Sequence, residues 1–166
     1  MRSRTAEWFK TKVRFEKMQD DGMLKKVSED YVVDALSHTE AEERITAEMS
    51  SFVSGEFEVK GIVPAPFKEV FFSDNPEDDK WYQAKLAFLT YDEKTDKEKR
   101  SNVTYLVQAG TFNGAVKNID EVMVDTMIDY VILAVSETKF WDVFEYKKAS
   151  SETADEPDGK MKAAGE

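Results

Sequence analysis

The chain has 166 residues, no cysteine, one histidine and a net charge of −11, from 34 acidic and 23 basic side chains. That excludes disulfides, thiolate metal sites and a cysteine nucleophile, and with a single histidine it also excludes histidine-rich metal centres within one chain. It argues against a general nucleic-acid coat, whose affinity comes from displaced phosphate counterions.

With 41% hydrophobic and 12% aromatic residues, the composition can build a core. No apolar run approaches the roughly 20 residues that cross a bilayer. The opening Met-Arg-Ser-Arg-Thr-Ala-Glu lacks a secretory apolar core. We therefore expect a cytoplasmic protein that spans no membrane.

Residues 8–18 alternate, with Phe9, Thr11, Val13 and Phe15 on one face and Lys10, Lys12 and Arg14 on the other, the period of a half-buried strand. Asp20-Asp21-Gly22 predicts a turn, and a second strand runs to about Ala35, completing a hairpin. Ser37 with Glu40 forms a capping box, in which the hydroxyl takes an orphan amide and the carboxylate reaches back. Ala41, Ile45, Met49 and Phe52 then make one apolar helical stripe, and Gly55 is placed to end it in the left-handed conformation. A strand at about 57–63 stops at Pro64-Ala65-Pro66, because proline cannot donate to a ladder. A last strand, Phe67–Phe72, closes the first half.

The acidic stretch 74–80 joins the halves. The second half repeats the plan: strands 81–91 and 100–109, a Thr111-capped helix carrying Ala115, Ile119, Met123 and Met127, then strand segments 130–136 and 139–146. The correspondence extends to the residues. Trp8 through Phe15 matches Trp81 through Phe88, and Tyr31 through Ala35 matches Tyr105 through Ala109. Phe67 through Phe71 matches Phe140 through Phe144. This order predicts a tandem duplication. The expected fold is α+β: two β-β-α-β(β) repeats, 1–73 and 81–146, forming a pseudo-twofold two-layer unit with helices on one face of antiparallel or mixed sheet. Residues 147–166 hold one large apolar side chain, Met161, and are expected to be disordered.

Several of these blocks, among them the opening through Arg14, Tyr31–Ser37, Ser54–Val59 and Lys97–Thr104, resemble a domain family of unknown function associated with Bacteroidetes bacteria and their phages. The resemblance covers about residues 1–146. It implies a bacterial or mobile-element setting and a small accessory protein, and it carries no catalytic residues.

Chemistry is sparse. His38 stands at a helix start, where a neutral ring is easily accommodated. Glu40, Glu42, Glu43 and Glu48 read as a solvated helix face. Asp74–Asp79 lacks the spacing of a calcium loop, and no glycine-rich phosphate loop is present. No catalytic residue, cofactor or metal site is expected.

Two binding surfaces remain. Strands of the second half are apolar on both sides, so Tyr91, Val131, Leu133, Trp141 and Val143 are candidates for an interface with a protein partner or a second copy. Lys10, Lys12 and Arg14 with Trp8 in phase, joined by Lys97, Lys99 and Arg100 near the other hairpin turn, are candidates for holding single-stranded nucleic acid, which needs cations and stacking platforms. The leading expectation is a non-enzymatic binding or assembly module; the alternative is a single-strand nucleic-acid binder of a replication module.

Overall fold

The computed structural model describes residues 1–146; the disorder expected of 147–166 lies outside the described residues. In chain order the elements are β1 (Arg2–Thr5), β2 (Trp8–Met18), β3 (Leu24–Asp34), α1 (His38–Ser50), β4 (Phe57–Pro64) and β5 (Glu69–Phe72). They continue with β6 (Lys80–Asp92), β7 (Lys97–Ala109), α2 (Phe112–Val124), β8 (Asp129–Glu137) and β9 (Phe140–Phe144). The class is α+β, with two helices and two mixed sheets among the described residues.

Local chemistry explains most of the boundaries. Gly22, at φ +84°, turns the β2–β3 hairpin where a side chain would be strained. The Ser37 hydroxyl accepts the Glu40 N–H at 3.1 Å, and the Glu40 carboxylate accepts the Leu36 N–H at 2.7 Å. Thr111 caps α2 in the same way through the Gly114 N–H. Both helices end earlier than their apolar stripes suggest. Ser51 closes α1 in a right-handed conformation, so Gly55 is not its left-handed cap, and Phe52 is exposed. Met127, expected on the α2 stripe, lies beyond the helix at φ 60° and is 91% exposed. In both helices the stripe stops at Met49 and Met123, where the apolar contact with the sheet stops.

One sheet has the order β4-β2-β3-β9 and the other β1-β5-β7-β6-β8. The hairpins β2–β3 and β6–β7 form their centres, and β4 and β8 each add antiparallel outside the first hairpin strand. The remaining strands cross over. β5, at the end of the first half, runs parallel to β7 of the second, while β9, at the end of the second, runs parallel to β3 of the first. The four-stranded sheet therefore contains one strand of the second half, β9, and the five-stranded sheet two of the first, β5 and β1. Pro64, the last residue of β4, and Pro66 turn the chain away from its own sheet, and the Ala65 N–H fixes that corner by donating to the Trp8 carbonyl at 2.8 Å. Thr138 does the same at Trp81, at 2.9 Å.

The register agrees between halves. Trp8 lies opposite Asp34 and Trp81 opposite Gln108. Bulges fall between Lys12 and Val13 on β2 and between Lys85 and Leu86 on β6. Val32 meets Val143, and Leu106 meets Val70.

Three cores follow from the alternation. Phe9, Val13, Tyr31 and Val33 pack with Ala41, Ile45 and Met49 between the four-stranded sheet and α1. Ala84, Leu86, Tyr105 and Val107 pack with Ile119 and Met123 under α2. Trp8, Val32 and Val143 from one sheet meet Val70, Phe72, Trp81 and Leu106 from the other. Each sheet thus makes a two-layer unit with its own helix on one face, and the two units stack through the faces that carry no helix.

Candidate functional site

The matched register gives each outward residue of one half a counterpart in the other. On β6 and β8, the face away from α2 carries Ala87, Leu89, Tyr91, Val131 and Leu133, with Val131 directly opposite Ala87. Leu133 is the extra residue at the bulge and is 48% exposed; Val131 is 37% exposed. The same positions on β2 and β4 hold Arg14, Glu16, Met18, Glu58 and Lys60. At Glu16, Glu58 and Lys60 the first half therefore presents charge where the second has Leu89, Val131 and Leu133, whereas Ala87 is fully buried and Met18 and Tyr91 are both apolar and exposed. Since most isolated exposed apolar residues need no explanation, the contiguity and the charged counterpart are the informative facts.

The other expected interface residues are not part of this face. Val143 is 7% exposed and belongs to the core between the sheets; in a parallel strand next to Val32 its side chain points inward, so it offers no open surface. Trp141 lies on β9 in the other sheet and is 58% exposed. Its ring is held: the Lys17 ammonium sits 4.2 Å from the ring centroid and donates to the Glu29 carboxylate at 2.9 Å. Glu29 is buried and also accepts the Tyr31 hydroxyl at 2.5 Å. Burial, followed by the neighbouring Glu29 carboxylate, raises the Tyr31 phenol above its ordinary range, so it remains a neutral donor. Trp141 is thereby an exposed aromatic side chain with one face already fixed.

The basic candidates separate. Trp8 is 2% exposed, and its indole N–H meets no acceptor among the described residues; it is a core residue and no stacking platform. Lys10 is half-buried, while Lys12 and Arg14 are exposed on β2. Arg14 borders an open hollow of about 740 Å³ shared with Glu16, Glu56 and Glu58, which dilute its field. Lys97, Lys99 and Arg100 are exposed on β7, in the other sheet, and strand alternation puts Arg100 on the opposite face from Lys97 and Lys99.

One polar cluster was not foreseen. Asp34, buried at the end of β3, accepts two hydrogen bonds from Arg4, at 3.0 and 2.5 Å, and the Tyr146 N–H at 2.8 Å. Arg44 bonds the Asp34 carbonyl and lies 3.7 Å from the Tyr146 ring centroid. Arg2 donates to Glu145 at 2.7 Å. These contacts fasten β1, in one sheet, to the end of β3 and β9 in the other. β1 is short and polar and gives no alternation signal. The one hint in the sequence was a carboxylate at the end of an apolar strand. Glu29 offered a similar hint, a charge at the core-facing parity of β3.

His38 is the first residue of α1 and is exposed. Among the described residues no group of three or more His, Cys, Asp or Glu side chains is placed to hold a metal ion, and no helix is long and apolar enough to cross a membrane.

The arrangement is a pair of stacked α+β units. A family model for a domain of unknown function, DUF4494, matches residues 7–146, and the chain belongs to that family. No curated protein matches the chain.

Proposed function

We propose that this chain is a non-enzymatic binding or assembly module that works by protein–protein contact, through self-association or docking of a partner protein. The observation that carries the reading is the replacement of Glu16, Glu58 and Lys60 by Leu89, Val131 and Leu133 at matched positions. Water-facing strands take the charged solution, and the second half departs from it on one contiguous face. Trp141, exposed and held by Lys17, is a second anchor on another surface. A cytoplasmic accessory role in Bacteroidetes or their phages belongs to the same proposal and rests on the family resemblance.

Light scattering over a concentration series tests it. The mass should rise above the 19.0 kDa of one chain, and Leu133→Lys should return it to that value. A strict 19.0 kDa particle at every concentration would contradict self-association.

Exposed Lys12 and Arg14 on one strand face support a second, weaker reading, single-strand nucleic-acid binding. Anisotropy at low salt with a labelled oligonucleotide decides it: binding should weaken in Lys12→Glu with Arg14→Glu, and unchanged binding removes the idea.

A further inference from the structure

β1 has no counterpart in the other sheet. It lies outside β5, antiparallel, with Arg4 opposite Val70 and Thr5 opposite Glu69. The strand matching β5 in the four-stranded sheet is β9, where Val143 takes the place of Val70 and Asp142 that of Glu69. Among the described residues no strand lies outside β9.

The chemistry of that edge fits an open strand position. The Val143 N–H donates to the carboxylate of its neighbour Asp142 at 2.8 Å. A side chain thus takes the role that a strand carbonyl fills in a paired edge. Asp142 is exposed, and among the described residues this is the one hydrogen bond of its carboxylate. The edge lacks lysine and proline over Phe140–Phe144, two of the usual devices against pairing. Trp141 stands beside it with its ring fixed by Lys17.

We propose that the outer edge of β9 is a docking site for an extended peptide segment, added as a fifth strand antiparallel to β9, with a cationic side chain opposite Asp142. The fold supplies the backbone template, since the equivalent place in the other sheet is filled by β1, with the uncharged Thr5 opposite Glu69; the cation is called for by the Asp142 carboxylate itself. The incoming backbone accepts the Val143 N–H, the Asp142 carboxylate turns to the incoming cation, and main-chain bonds provide the affinity. The inference rests on the chain being a protein-binding module but uses a different element from the β6–β8 face, so Leu133→Lys leaves it intact.

The test uses the full chain and two labelled peptides, Met-Arg-Ser-Arg-Thr-Ala-Glu and its Thr5→Lys form, which places lysine opposite Asp142. Anisotropy should show binding of both, tighter for Thr5→Lys by about two- to fivefold, and Asp142→Asn should abolish the difference. Amide exchange should show new protection at Val143. No binding below about 1 mM, equal affinity of the two peptides, or protection at Val70 and Phe72 in place of Val143, which marks displacement of β1, would overturn it. Because the light-scattering result depends on Val131 and Leu133, either idea can fail while the other stands.

Discussion

Glu29 joins two side chains of the four-stranded sheet. It is buried on the helix-facing side of β3 and satisfies both the Tyr31 hydroxyl and Lys17. Glu29→Ala leaves that hydroxyl without an acceptor and releases Lys17 from beneath Trp141. The expected loss is about 2–3 kcal/mol in urea unfolding, with Glu29→Gln losing less because its amide oxygen still accepts. Tyr105 gives a pH signature. Burial pushes its phenol up to about 12, from an ordinary value of 10.0. The folded value lies above the unfolded one, so the stabilisation is intact below pH 10 and disappears as pH rises towards 12. Tyr105→Phe should make the fall in stability over that interval shallower in a series of urea unfolding curves.

At the level of elements, the two helix caps share the hydroxyl bond to the amide three residues on, and α1 alone adds the Glu40 bond to the Leu36 N–H. Ser37→Ala and Thr111→Ala should each cost about 1 kcal/mol by thermal unfolding; a null effect at either site would mean that the cap bond is replaced by water without loss. These elements were legible because their signals are local. Alternation over 8–18, the Ser37–Glu40 spacing and the steps Ala41, Ile45, Met49 each depend on a few neighbouring residues. Where the helices end was not legible, since Phe52 and Met127 continue the pattern in sequence after the sheet beneath them has ended. β1 was missed for the opposite reason: four polar residues become a strand because β5 offers them an edge and Asp34 holds Arg4. The candidate surfaces were partly legible. Val131, Leu133 and Tyr91 lie on one face as alternation indicates, whereas Val143 is inside because its strand crosses to the other sheet.

In the whole molecule, that crossing governs stability. Each sheet needs β5 or β9 from the opposite half, and Trp8 and Trp81 share one core. Separated fragments 1–73 and 74–146 should each lack cooperative unfolding, and an equimolar mixture should recover it; independent folding of either fragment would contradict the interlock. Strand exchange could not be read from the sequence because Phe67–Phe71 and Phe140–Phe144 are alike, so either could complete either sheet. The matched register, however, makes the first half an internal control for the second.

Val131→Glu combined with Leu133→Lys installs the residues of the first half on the second, and its stability to denaturant is the most direct test. If this face exists for docking, the variant should unfold within about 0.5 kcal/mol of the wild type. A loss of about 2 kcal/mol or more, the scale of a buried aliphatic side chain, would show that Val131 and Leu133 serve their own core, and the docking surface would be withdrawn.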